Sequence, residues 1–267
     1  MDTQQLNGFK TMNLYRNPFA SPTEEAIGTD FIGRKSVLKK MHEYIINADK
    51  ISNYHIVGLP RIGKSSLLKA FKTMIQENHY SHDLVVLYIS LDECDNSNDM
   101  WRIIGKGIRK ELKKQFHSSD KYTNFIDELD FEDVDENNID YEYVCSVARC
   151  MKASGFLGLI LIDEFDNFST IATKGTVGQV RTLFSGSEYG LRAVVASRRM
   201  VERIEKEVEG ALNSNVSILA STFVNGYKLK AFNEDDMKDY WVSIEEKIGV
   251  AVSNRYEEGI DYYVGTH

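Results

Sequence analysis

The segment Gly58-Leu59-Pro60-Arg61-Ile62-Gly63-Lys64-Ser65 matches the spacing G-x-x-x-x-G-K-[ST] at every fixed position. Its flanks constrain the fold further. Tyr54-His55-Ile56-Val57 before it reads as a short apolar strand, and Ser65-Ser66-Leu67-Leu68-Lys69-Ala70-Phe71 after it reads as the first turns of a helix. A strand, a Gly-rich turn and a helix N-terminus together form a phosphate cradle. The backbone N–H groups of the loop, whose expected binding residues are Gly58, Pro60, Arg61, Ile62, Gly63 and Lys64, point inward, and the helix end adds partial positive charge. Lys64 is predicted to reach the β- and γ-phosphates, and the Ser65 hydroxyl to ligate Mg²⁺. A Gly-rich turn that binds nothing is the alternative, and the flanking strand and helix argue against it.

A second motif points the same way. Leu159-Ile160-Leu161-Ile162-Asp163-Glu164-Phe165-Asp166 is an apolar run that ends in carboxylates. Four consecutive large aliphatic residues suit a central parallel strand covered on both faces. The carboxylates then fall at its C-terminal end, where open α/β sheets bind ligands. Asp163 is placed to hold Mg²⁺, directly or through water, and Glu164 to orient or deprotonate an attacking water. Alone, such a pair also describes a solvated turn.

Bulk properties exclude several classes. Among 267 residues, 32 Lys and Arg against 40 Asp and Glu leave a net charge of −8, unsuited to coating nucleic acid over the whole surface. No run approaches the roughly 20 apolar residues that span a bilayer. Cys94, Cys145 and Cys150 lack metal-ligand spacing and read as reduced thiols of a cytoplasmic protein.

Strands alternate with helices along the chain, which predicts an α/β fold on a parallel sheet. Strands are expected at Tyr54–Val57, Leu84–Leu91, Leu159–Ile162, Leu191–Ser197 and, as a last one, Phe223–Leu229. Residues 1–30 read as an irregular strap, 31–230 as the core, and 231–267 as the start of a small helical region. An acidic stretch at about 118–142 reads as an exposed insertion, with Phe125, Leu129 and Phe131 docking it. Its composition lacks the glycine and spacing of a calcium loop.

With these motifs in place, the chain resembles AAA+-related P-loop ATPases. The Phe31-Ile32-Gly33-Arg34 element upstream of the loop is similar to that of STAND-class signalling ATPases and archaeal Orc/Cdc6-like ATPases. Val195-Ala196-Ser197-Arg198-Arg199 resembles the STAND version of the segment after the next strand. The resemblance implies a three-layer sandwich on a central five-stranded parallel sheet, with the Ser197 strand between those of Gly58 and Asp163. It also implies ATP and Mg²⁺ as cofactors, with Lys64, Ser65 and Ser66 on phosphate and metal, Asp163 assisting Mg²⁺, and Glu164 as base. Ser197 or Arg198 would sense the γ-phosphate. Asn17, Pro18, Phe19 and the Phe31–Arg34 segment, including Gly33, would lie near the adenine, or else form a packing strap. No arginine finger is evident, as is usual for STAND proteins. In the family a lid helix follows the kind of segment that ends this chain, so a truncated lid is expected, with effector or sensor domains or self-association beyond residue 267.

Three functions compete. The first is a slowly hydrolysing nucleotide switch of the STAND type, in bacterial or archaeal signalling or defence. The second is an Orc/Cdc6-like DNA-handling ATPase, which the acidic balance disfavours. The third is a module that holds ATP or ADP without turnover. A small-molecule kinase is weaker still, because the glutamate after Asp163 favours water as nucleophile.

Overall fold

The computed structural model describes residues 26, 28, 31–47, 50–77, 83–116, 135–213, 215 and 219–248. The chain divides into two compact units, residues 36–230 and a second made of residues 1–35 with 231–267.

The larger unit is built on five parallel strands: β1 (Tyr54–Val57), β2 (Leu84–Ser90), β3 (Leu157–Asp163), β4 (Leu191–Ser197) and β5 (Gly226–Lys228), in the order β2-β3-β4-β1-β5. β4 therefore lies between the loop strand β1 and the carboxylate strand β3, as the resemblance implied. The register aligns their ends, pairing Val57 with Ser197 and Ser90 with Asp163. Parallel strands need crossovers, and helices supply them. These include α2 (Lys64–Glu77), α3 (Ser97–Phe116), α4 (Tyr141–Ala153), α5 (Lys174–Ser185) and α6 (Val201–Leu212), while α1 (Lys35–Ile45) precedes the sheet.

Alternation along the strands separates two faces. Val85, Leu87, Ile89, Ile160, Ile162, Ala193 and Val195 join one buried cluster with Trp101, Ile104, Ile108 and Leu112 of α3, and with apolar residues of α4, α5 and α6. Leu67, Leu68, Phe71 and Ile75 are buried on α2, which packs against β2, β3 and β4. Burial on both faces explains why these strands read as continuous aliphatic runs.

The expected last strand, Phe223–Leu229, is shorter. A 3₁₀ turn, Ala220–Thr222, ends at Phe223, whose ring is buried against Phe165, leaving Gly226–Lys228 to pair with β1. Asp140, counted in the acidic stretch, caps α4 by accepting from the Tyr143 N–H at 2.9 Å. Residues 117–134, and with them the proposed docking by Phe125, Leu129 and Phe131, lie outside the described residues.

The second unit contains α7 (Glu234–Ile248). Asn233 and Asp236 cap its start reciprocally, at 2.8 and 3.3 Å. Asp236 also accepts the Arg34 backbone N–H at 2.5 Å, and the Arg34 guanidinium lies 4.6 Å from the Phe232 ring centre. Gly33 has φ 72°, and a Cβ there would lie 3.2 Å from Asp236 Cβ, so the Gly-Arg pair suits a tight, left-handed approach to this helix end.

Candidate functional site

The loop from Gly58 to Lys64 leaves β1 at the C-terminal edge of the sheet. Its first N–H, on Gly58, does not face the cradle as expected but donates to the carbonyl of Ser197 at 3.1 Å, anchoring the loop to β4. A Cβ at Gly58 would lie 2.9 Å from Ile62 Cγ2 and 3.2 Å from Leu229 Cβ, so a side chain there would push the loop open. Arg61 and Gly63 take positive φ, 61° and 93°. For Arg61 this is a strained conformation, costing about 1 kcal/mol or more. Ser65 and Ser66 follow in the first turn of α2, where backbone N–H groups lack partners inside the helix.

Lys64 is 5% exposed, and its ammonium donates to the carbonyls of Gly58 and Leu59, each at 3.1 Å. Burial lowers its pKa, opposed by the negative charges of Glu164 and Asp163.

Asp163 ends β3 and is 2% exposed. One carboxylate oxygen accepts the Tyr88 hydroxyl at 2.9 Å, and the other accepts the Glu164 N–H at 2.9 Å. With both oxygens already accepting, its chemistry fits contact with a metal through water. Glu164 adopts φ 47°, ψ 44°, a left-handed turn that re-aims the chain after the strand. Its carboxylate accepts from the Arg198 guanidinium at 3.2 Å.

Two residues named together from sequence separate here. Ser197 is 0% exposed, and its hydroxyl donates inward to the Arg199 carbonyl at 2.5 Å. Its oxygen also lies 2.8 Å from His55 Nε2. Since the serine proton is committed to Arg199, Nε2–H of His55 is the donor. Burial pushes the His55 pKa down to about 4, which keeps the ring neutral. Ser197 therefore braces the strand end, while Arg198, with a half-exposed side chain, faces Glu164.

Asp166, Tyr88 and His55 escaped assignment from sequence. Asp166 was visible at the end of the carboxylate run, but its partners on the β4 side are remote in the chain. A tyrosine within Leu84–Ser90, otherwise aliphatic up to Ile89, was the available signal for Tyr88.

Of the other expected site residues, Pro60 is exposed and Ile62 half-buried within the loop. Phe31, Gly33 and Arg34 belong to the unit that contains α7. Asn17, Pro18 and Phe19 lie outside the described residues. Among the described residues no cluster of three or more His, Cys, Asp or Glu could hold a metal ion. A separate cavity of about 590 Å³ opens beside Asn53, Lys152, Gly190 and Arg192, at the N-terminal edge of the strands, away from these groups. No helix among the described residues is long and apolar enough to cross a membrane.

No family model matches the chain, and no curated protein matches it in sequence. Solved structures share its fold. The Walker-type ATPase of Pyrococcus abyssi superposes with a TM-score of 0.58 at 14% identity, over 89% of this chain and 65% of that one. The Aeropyrum pernix ORC1 protein, solved in complex with DNA, gives 0.55 at 12% identity, over 86% of this chain and 54% of that one. The Aeropyrum pernix ORC2 protein, solved in ADPNP–ADP complexes, gives 0.54 at 10% identity, over 85% and 56%. The fold, five parallel strands flanked by helices, is thus the P-loop fold that these ATPases share. The chain spans less than two thirds of the length of each of these proteins.

Proposed function

We propose that the chain binds ATP with Mg²⁺ and hydrolyses it slowly, as a nucleotide-operated switch. The observation that carries this reading is geometric: the phosphate loop with Lys64, the Asp163–Glu164 carboxylates, and Arg198, which donates to Glu164 at 3.2 Å, all follow the same ends of three adjacent parallel strands. The loop N–H groups and Lys64 bind the phosphates. Ser65 and Asp163 would hold Mg²⁺, which neutralises charge on the β- and γ-phosphate oxygens when bound. Glu164 takes the proton from a water that attacks the γ-phosphorus, and the bond to the ADP oxygen breaks. Arg198, already within hydrogen-bond reach of Glu164, contacts the γ-phosphate and stabilises its developing charge. The finer STAND-type signalling role rests on the sequence resemblance.

Calorimetric titration with ATP, ADP and GTP in Mg²⁺, with phosphate release followed in parallel, tests the proposal. Adenine-selective binding with slow release is expected. Absence of binding to all three nucleotides would reject it.

A second reading, a DNA-handling ATPase, is favoured by the likeness to an ORC1 protein solved with DNA. The net charge of −8 weighs against a broad DNA-binding surface.

A further inference from the structure

We infer that Asp166 is a positioning residue that sets Arg198 against Glu164. The inference rests on the reading of Glu164 and Arg198 just given and names what holds them in register. Asp166 is 6% exposed, in the 3₁₀ turn Phe165–Asn167 that follows β3. Arg198 and Arg199 follow β4, the neighbouring strand. One Asp166 carboxylate oxygen accepts the Arg198 backbone N–H at 2.6 Å. The other accepts the Arg199 backbone N–H at 3.2 Å and the Arg199 Nε–H at 2.8 Å. The Asp166 carbonyl accepts a further Arg199 guanidinium N–H at 3.1 Å.

One buried carboxylate therefore ties two successive backbone N–H groups of the β4 exit to the β3 exit. Charge-assisted bonds of this kind are short and directional. Arg199 completes the tie from the far side. Its guanidinium bridges Asp166 and Glu207 of α6, and the hydrogen bond to Asp166 raises its pKa. The neighbouring arginines thus divide the work. Arg199 is a strut with both ends of its guanidinium occupied. Arg198 is tied to Asp166 through its backbone N–H alone, and its half-exposed guanidinium is left to pair with Glu164 and, on the reading above, to meet a γ-phosphate. Without Asp166 the Arg198 backbone would sample several directions, and its long side chain would meet the γ-phosphate only part of the time.

Four proteins test this: wild type, Arg198→Ala, Asp166→Asn, and the double variant. The ratio of ATP to ADP affinity in Mg²⁺ is measured by calorimetry, and amide hydrogen exchange is followed across residues 197–200. Wild type is expected to prefer ATP, on the order of tenfold or more, the scale of one hydrogen bond to a charged group. Arg198→Ala loses the preference. Asp166→Asn loses most of it, exchanges faster at Arg198 and Arg199, and adds nothing in the Arg198→Ala background. A wild-type preference in Asp166→Asn, or losses that add in the double variant, would overturn the inference. An Arg198→Ala protein that still prefers ATP would instead sink the reading of Arg198, as would a wild type that binds no nucleotide. Should the asparagine amide, facing N–H donors, prevent folding, Asp166→Ser removes the same charge in a smaller side chain and faces the same outcomes.

Discussion

Lys64 shows how one side chain serves two tasks. Its ammonium satisfies the Gly58 and Leu59 carbonyls, which curl the loop, and supplies the cation that phosphate requires. Lys64→Ala should therefore bring ATP binding below detection by calorimetry, and unchanged affinity would reject the phosphate assignment. Glu164→Gln keeps the left-handed turn and the size of the side chain but cannot accept a proton. It should retain ATP binding and hydrolyse about 10²-fold more slowly, the usual scale of a lost general base. Equal turnover in single-turnover assays would remove Glu164 from the mechanism. His55 carries a pH prediction. Its folded pKa, about 4, lies below the ordinary 6.5, so the unfolded chain binds the extra proton between these values. The stability from a neutral His55 is full above pH 6.5 and is lost as pH falls toward 4. Between pH 7 and pH 5 this loss is about 2 kcal/mol. Urea denaturation of wild type and His55→Asn should show that extra slope in wild type alone.

At the scale of elements, the site is built by strand exits. The exits of β1, β3 and β4 sit side by side, and each turns sharply in its own way. The loop after β1 uses positive φ at Arg61 and Gly63, and the turn after β3 uses it at Glu164. The exit of β4 is pinned by Asp166. Elsewhere ordinary capping suffices. Thr173 and Thr176 form a reciprocal capping box at the start of α5, each backbone–side-chain bond at 3.2 Å. Thr173→Ala should cost about 1 kcal/mol and lower the melting temperature by roughly 2–4 °C in a unit of this size, with nucleotide affinity unchanged. A scan with and without ATP would check both. The strands and helices were legible because aliphatic runs and helical spacing report burial directly. The exit turns were not, since their geometry depends on partners 30 or more residues away, such as Asp166 and Arg198.

At the scale of the whole molecule, the groups of the candidate site all belong to the unit of residues 36–230. The chain spans 54–65% of the length of the three compared proteins, so the activity and partners of those whole proteins are proposals here. The net charge of −8 makes one such proposal testable directly. Duplex DNA should bind this chain no more tightly than non-specific association, roughly 10⁻⁴–10⁻⁶ M at physiological salt. Tighter binding that weakens steeply with added salt would move the assignment to the DNA-handling reading.

The amino-acid sequence by itself determined the phosphate loop, the carboxylate strand and the α/β class. Each is encoded locally: the loop by glycines and a lysine at set spacing, the strands by consecutive aliphatic residues that only a doubly covered sheet can bury. The place of β4 between β1 and β3 came from resemblance, and the strand pairing agrees with it. The tertiary structure alone decided which groups of Ser197-Arg198-Arg199 face the site. That segment has no periodicity to read. Its side chains are aimed by bonds to His55, Asp166 and Glu207, which come together only after the sheet has formed.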